Sequence, residues 1–190
     1  MELLKILLKS AIVDNVVFIQ YLAICPFIGM TSETDKAFGM GVATSFVIML
    51  ATAVTWPIYK LIMIPLGLEF LQTLMFILVI ASLVQLVEFF LKKSIPSLYK
   101  SMGVYLALIT TNCAVLGVTI NCISKNYNYG ESLVYALGSA IGFIISMVVM
   151  SGVRTRLKGS KLPAAFQGTP ILYIAASLLS LAFLGFKGLL

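Results

Sequence analysis

Six long apolar stretches, separated by short polar connections, dominate this sequence. A helix needs about 20 apolar residues to cross the roughly 30 Å hydrocarbon core of a bilayer, and each stretch approaches or exceeds that length. Because the connections are short, we expect a single membrane domain over residues 1–190. The pattern predicts an all-α integral membrane protein with six transmembrane helices, at about Ala11–Ser32, Ala37–Tyr59, Phe70–Leu91, Ser101–Ser124, Ser132–Val153 and Ile171–Phe186.

Composition supports a membrane protein. Of the 190 residues, 61% are apolar, against about 45–50% in soluble domains. The apolar stretch that begins at Leu3 exceeds a signal-peptide core, and further spans follow it. The net charge of +6 is explained by basic residues that face lipid headgroups and the cytoplasm. Basic and aromatic residues do not alternate as in a nucleic-acid surface, so no nucleic-acid partner is expected.

The first and fourth stretches share the pattern Cys, three residues, Gly, one residue, Thr. It runs from Cys25 to Thr31 and from Cys113 to Thr119. Both spans are expected to be broken helices, the first at Cys25-Pro26 and the fourth just before Cys113. With three spans per half, the second half would enter the membrane inverted. The sequence therefore predicts two inverted three-helix repeats, at about 1–93 and 97–190, an arrangement in which broken helices commonly form the functional centre.

Two thiols at corresponding points of two repeats indicate a symmetric ligand pair. Cys25 and Cys113 would supply half of a metal or iron–sulfur site, which a partner completes. Gly29 and Gly117 permit backbone conformations closed to other residues, and the breaks would leave N–H groups that can donate to cluster sulfur. The alternative is two packed cysteines beside ordinary helix kinks. Cys122 lies outside the repeated pattern and is expected to be a packed thiol, and a Cys25–Cys113 disulfide is disfavoured.

Acidic side chains inside membrane spans are costly and indicate function by default. Asp14 lies in the first span and Glu88 near the end of the third; either could bind a sodium ion or carry a proton. Glu88 could instead pair with Lys92 one helical turn later. Beside Cys113, Thr111 and Asn112 could orient the broken helix or donate to a cluster. The chain has no histidine and no hydrolase or phosphate-loop motif, so no catalytic residues are expected.

The distribution of lysine and arginine favours one orientation, because cytoplasmic loops carry the excess. Eight basic residues fall on one side and five on the other, which places the larger group in the cytoplasm and both termini outside. The larger group is Lys36, Lys92, Lys93, Lys100, Arg154, Arg156, Lys158 and Lys161; the smaller is Lys5, Lys9, Lys60, Lys125 and Lys187.

Several segments resemble a known family of membrane subunits. They are Leu22–Gly29 (LAICPFIG), Phe38–Thr44 (FGMGVAT), Phe76–Ala81 (FILVIA), Leu108–Gly117 (LITTNCAVLG) and Leu162–Gly168 (LPAAFQG). Together they are similar to the RnfA/NqrE/NqrD family of the Rnf ion-translocating electron-transport complex and the sodium-pumping quinone reductase, over essentially the whole chain. The proline after the first cysteine looks like the RnfA branch. Asp14 departs from the family, which more often has a neutral residue there.

The resemblance implies a function. In this family, an RnfA-type chain pairs with a homologous chain of opposite topology (RnfE-like), and two cysteines from each hold one [2Fe–2S] cluster inside the inner membrane. Carried over, the cofactor and metal ligands are Cys25 and Cys113. The cluster would relay electrons between ferredoxin or NADH oxidation and other Rnf subunits that carry flavin and iron–sulfur centres. Electron movement would be coupled to sodium or proton export, which makes the chain part of a translocase.

Two other interpretations fit parts of the pattern. Inverted repeats and broken helices also occur in small secondary transporters, where Asp14 would be an ion or substrate ligand. A purely structural membrane scaffold with inert cysteines is the third. Iron and acid-labile sulfide that disappear when either cysteine is replaced would separate the first interpretation from both others.

Overall fold

The computed structural model describes residues 2–67, 69–94, 108–109, 111–159, 163 and 166–186, and this part of the chain is helical without strands. The helices are α1 (Glu2–Leu8), α2 (Ile24–Met30), α3 (Thr34–Ile58), α4 (Gln72–Ser94), α5 (Cys113–Ser124), α6 (Tyr129–Leu157) and α7 (Thr169–Leu184). A π-helical turn at Lys9–Val13 continues α1, and a 3-10 turn at Glu69–Leu71 precedes α4. A π-helical turn at Tyr59–Met63 and a short helical turn at Ile64–Leu66 continue α3.

The expected all-helical membrane architecture is confirmed at this level. Among the described residues, three helical stretches are long and apolar enough to cross a bilayer, at Thr34–Met63, Gln72–Phe89 and Tyr129–Leu157. Helices α5 and α7 are shorter and also apolar. The first part of the expected fourth span, residues 101–107, lies outside the described residues, so the count of six spans stays a prediction.

Helices α3 and α6 form the centre of the fold and run antiparallel. Near one end the hydroxyls of Thr34 and Ser151 are 3.1 Å apart. Further along, Ser45 Oγ donates to the Ala140 carbonyl oxygen at 3.3 Å. Residue numbers therefore rise on one helix as they fall on the other. Gly41, on the same face of α3, is fully buried at this contact.

Glycines on α6 allow α1 to approach closely, as the small-residue spacing predicts. A Cβ atom at Gly142 would lie 2.6 Å from the Ala11 carbonyl oxygen, and one at Gly138 would lie 2.6 Å from the Leu7 carbonyl oxygen. Both distances are too short for any side chain, and the opposing atoms belong to the backbone and cannot rotate away. The α1–α6 crossing therefore requires glycine at both positions.

The first expected span is broken at a different place from the one predicted. The helix that starts at Glu2 ends at Val13, and α2 starts only at Ile24, so the expected interruption at Cys25-Pro26 is wrong. Pro26 instead lies in the first turn of α2. Backbone N–H groups in a first turn have no acceptor within the helix, so a proline there removes no hydrogen bond.

Candidate functional site

Cys25 lies in the first turn of α2 and its side chain is exposed. The residue that caps this helix, Ala23, has a left-handed backbone with φ +61°, and Tyr21 has φ +55°. Left-handed conformations cost a residue with a Cβ atom roughly 1–2 kcal/mol, and strained residues of this kind cluster at functional sites. The chain reaches Cys25 through a backbone path that the rest of the fold must hold in place.

Cys113 is the first residue of α5, and its side chain is also exposed. Its Sγ accepts a hydrogen bond from the backbone N–H of Ala23 at 2.8 Å. Since Ala23 precedes Cys25 by two residues, the starts of the two cysteine-bearing helices lie against each other. All three cysteines of the chain are free. The structure thus brings together the two cysteines that the repeated pattern singles out.

The glycines of the two patterns do not have the role expected of them. Neither Gly29 nor Gly117 has a positive φ, so no special backbone conformation requires them. A Cβ atom at Gly117 would lie 2.2 Å from Leu22 Cδ1, whereas one at Gly29 would meet Leu108 Cδ1 only at 3.9 Å. Each glycine therefore faces the residues that precede the other cysteine, and only at Gly117 is the contact tight.

The two cysteine-bearing helices point their C-terminal ends in opposite directions. The end of α2 lies at the Thr34–Ser151 end of the α3–α6 pair, where Arg154 donates to the Ile28 carbonyl oxygen at 2.8 Å. The end of α5 leads directly into the start of α6. Because α3 and α6 are antiparallel, these are opposite ends of the molecule. The N-terminal ends of α2 and α5, with their cysteines, meet between them.

Residues 14–23, which we call the strap, run along α5 from one end to the other. Three contacts mark its course, each further along α5 toward its start. The Asp14 carboxylate pairs with Lys125 at 2.9 Å, Gln20 Oε1 accepts from Asn121 at 2.9 Å, and Ala23 N–H donates to Cys113 Sγ. The strap thereby fixes the position of Ala23 beside Cys113.

Asp14, a predicted ion-coupling residue, is paired. Its side chain is 22% exposed and that of Lys125 is 34% exposed, and the Lys125 ammonium also lies 4.6 Å from the centre of the Tyr135 ring. Lys125 follows the last residue of α5, so its backbone is about 18 Å from Cys113 at 1.5 Å per residue. The structure therefore separates Asp14 from the cysteine end of α5.

Glu88 is half-buried on α4, and among the described residues it has no hydrogen bond or ion pair. The side chain of Lys92, its expected partner, lies outside the described residues. Cys122 is 1% exposed, and its thiol contacts the Ser132 carbonyl oxygen at 3.8 Å. This environment is what a packed thiol requires.

Sequence reasoning missed the residue that organises the helix break, Asn15, which is fully buried. Its Nδ2 donates to the carbonyl oxygens of Ala11 and Gly142 at 3.2 and 3.0 Å. Its Oδ1 accepts from the backbone N–H groups of Val17 and Phe18 at 3.0 and 3.3 Å. Asn15 therefore satisfies backbone groups that the ended helix leaves free. In the sequence, the only signal for Asn15 is an amide inside an apolar stretch, next to the charged Asp14.

The fold and this site define a helical membrane protein with two cysteines at the facing starts of two helices. Residues 3–190 match the family described as Rnf-Nqr subunit, membrane protein. The chain belongs to the Rnf-Nqr family.

Similar proteins cover the chain from end to end. The A subunit of the ion-translocating oxidoreductase complex of Azoarcus sp. (strain BH72) is 50% identical over 99% of this chain and 97% of its own length. The protein of the same name from Syntrophotalea carbinolica is 48% identical with the same coverage. The A subunit of the Na(+)-translocating ferredoxin:NAD(+) oxidoreductase complex of Acetobacterium woodii is 48% identical over 100% of this chain and 98% of its own length.

Proposed function

We propose that this chain is the A-type membrane component of an ion-translocating oxidoreductase complex, and that it relays electrons within the membrane. Relatives with nearly full coverage carry that name, and one name specifies ferredoxin, NAD and sodium. The electron donor and acceptor pair is accordingly ferredoxin and NAD. The coupled step is the export of sodium ions or protons.

The observation that carries the proposal is the hydrogen bond from Ala23 N–H to Cys113 Sγ. It brings the starts of α2 and α5, each with an exposed cysteine, close together. Cys25 and Cys113 are proposed to supply two ligands of a [2Fe–2S] cluster. Such a cluster takes four protein ligands. Among the described residues, no three His, Cys, Asp or Glu side chains lie close enough together to hold a metal ion. The other two thiolates would come from a homologous membrane protein of opposite topology, which is RnfE-like.

The residues around the cysteines fit an anionic iron–sulfur group. When bound, a [2Fe–2S] cluster takes up and releases one electron at a time. The start of α5 carries the positive end of the helix dipole, which favours an anionic group there. The Ala23 N–H already donates to this sulfur, and hydrogen bonds to ligand sulfur tune reduction potential.

The proposed architecture is two inverted three-helix repeats in the inner (cytoplasmic) membrane, with both termini extracytoplasmic. The antiparallel α3–α6 pair and the opposite directions of α2 and α5 support it. So does the grouping of Arg154 with the end of α2, away from Lys125. Further Rnf subunits that carry flavin and iron–sulfur centres would exchange electrons with the cluster. A reporter at Leu190 that is active in the cytoplasm would contradict this orientation.

Ion coupling is proposed to involve the acidic side chains Asp14 and Glu88. The Lys125 ammonium at Asp14 occupies a place that a free cation could take, since both neutralise the carboxylate. Because the carboxylate is already paired with Lys125, it gives the secondary-transporter alternative no separate support.

The decisive experiment measures iron and acid-labile sulfide in the purified complex after single cysteine replacements. Cys25→Ser and Cys113→Ser should each abolish the cluster signal in electron paramagnetic resonance (EPR) spectra and stop electron transfer. Cys122→Ser should leave both nearly intact and serves as the matched control, because it removes a thiol from the same helix as Cys113. Equal loss of iron in all three variants, or no iron in the unmodified complex, would overturn the proposal.

A further inference from the structure

Asn112, the residue before Cys113, uses only half of its side-chain amide. It caps α5, and its Oδ1 accepts a hydrogen bond from the Ala114 N–H at 3.1 Å. The residue is 5% exposed. Its Nδ2 has no hydrogen-bond partner among the described residues. A buried NH₂ group beside an exposed cysteine is therefore left with two unused donors.

The orientation of this amide follows from the cap itself. If the oxygen and nitrogen were exchanged, Nδ2 would face the Ala114 N–H, and two donors would oppose each other. Oδ1 must therefore face the helix and Nδ2 must face away from it. Buried polar groups are almost always paired, and inside a membrane water rarely supplies the missing partner. An acceptor from outside this chain is expected at Nδ2.

The neighbouring side chain indicates what that acceptor is. Cys113 is exposed at the start of α5, and its sulfur already accepts one hydrogen bond, from Ala23 N–H. A cluster bound to Cys113 would present further sulfur atoms next to Asn112. Sulfide and thiolate sulfurs are acceptors, and they carry more negative charge when the cluster is reduced.

We propose that Asn112 Nδ2 donates a hydrogen bond to a sulfur of the iron–sulfur cluster and raises its reduction potential. The inference rests on the proposed function, because it requires a cluster at Cys113. A donor at sulfur stabilises the reduced, more negative form, so removal of the donor lowers the potential. Asn112 thus caps the start of α5 and tunes the reduction potential of the cluster.

The test is a redox titration of the assembled complex, followed by EPR. Asn112→Ser keeps a good helix cap and the neutral charge but removes the NH₂ group. We expect one-electron reduction to become less favourable by about tenfold, which corresponds to about 59 mV. The matched control is Asn128→Ser, since Asn128 caps α6 at the far end of α5 from Cys113; its midpoint should be unchanged.

A second measurement detects the hydrogen bond itself. In unmodified complex labelled with asparagine carrying ¹⁵N in its side-chain amide, the reduced cluster should show a ¹⁵N hyperfine coupling, and Asn112→Ser should abolish it. A cluster with no such coupling, or one whose midpoint is unchanged in Asn112→Ser, overturns the inference; Nδ2 would then donate to a carbonyl of the partner protein. Absence of any cluster in the unmodified complex would instead refute the proposed function.

Discussion

At the scale of single residues, Asn15 shows how the chain keeps a helix break inside a membrane. The break frees backbone N–H and C=O groups that lipid cannot satisfy. One buried amide pairs with three of them, the Ala11 carbonyl oxygen and the N–H groups of Val17 and Phe18. It also donates to the Gly142 carbonyl oxygen and accepts from Ser146 Oγ at 3.0 Å, both on α6. These bonds hold the first residues of the strap in place. The strap in turn holds Ala23 at the cysteine site.

Asn15→Leu should destabilise the protein strongly, because it keeps the branched shape of the side chain but removes its hydrogen-bonding groups. The N–H groups of Val17 and Phe18 would lose their acceptor, and each buried unpaired group costs about 1–3 kcal/mol; we expect a loss of about 2–5 kcal/mol. Thermal unfolding in detergent, followed through the single tryptophan Trp56, measures it. Asn121→Leu, which removes one hydrogen bond to Gln20, is the control and should cost about 1 kcal/mol. Equal losses would contradict the role of Asn15.

The sequence predicts those parts of the site that belong to the repeated pattern. It does not predict the parts that lie outside that pattern. Cys25 and Cys113 stand out because each is followed by a Gly and a Thr at the same spacing, and the contact of Ala23 with Cys113 brings the starts of their helices together. Asn15 has no counterpart in the pattern. A polar residue in an apolar stretch is energetically costly to bury. Only the contacts with Ala11 and Gly142 show that the NH₂ group of Asn15 is hydrogen-bonded as well as its oxygen.

At the scale of helices, the expected long spans α3, α4 and α6 agree with the sequence because uninterrupted apolar length determines them. The break in the first span does not follow from composition. Proline suggested an interruption at Pro26, yet a proline is equally suited to a first helical turn. The actual break depends on Asn15 and on the contacts of the strap with α5, which are distant in sequence and invisible to a local pattern.

Gly142→Ala should separate α1 from α6. The added Cβ would lie 2.6 Å from the Ala11 carbonyl oxygen, and overpacking of this kind costs about 1–3 kcal/mol. Gly152→Ala, on the same helix, meets nothing within 4 Å and should be neutral or stabilising by up to about 1 kcal/mol. Thermal unfolding of the two variants compares them directly. If Gly142→Ala were as stable as Gly152→Ala, the α1–α6 contact would not be the one described.

At the scale of the whole molecule, the cysteine site is open on one side. Both proposed ligands, Cys25 and Cys113, are exposed, and they would be two of the four thiolates that a [2Fe–2S] cluster needs. This chain expressed alone should therefore retain little iron, and co-expression with its homologous partner should yield a stable cluster. Iron and sulfide analysis of both preparations tests this. A stable cluster in the isolated chain would mean that two copies of this chain complete the site.

The last prediction concerns the coupling of ions to electrons through Asp14. Asp14→Asn keeps an oxygen acceptor for Lys125 but removes the negative charge, and the loss of a partly exposed ion pair costs about 1 kcal/mol or less. Because Lys125 lies at the far end of α5 from Cys113, we expect the cluster and the electron flux to persist. The number of ions moved per electron should fall, since the carboxylate that attracts a cation is gone.

Ion uptake measured against electron flux, in vesicles with the assembled complex, gives this ratio. Glu131→Gln is the control: it removes an acid from the first turn of α6, close to Lys125 in sequence, and keeps the capping interaction with Asn128. Its ratio should equal that of the unmodified complex. An unchanged ratio in Asp14→Asn would leave the Asp14–Lys125 pair as a fastening of the strap to α5. The ion path would then have to run past Glu88 or through another protein of the complex.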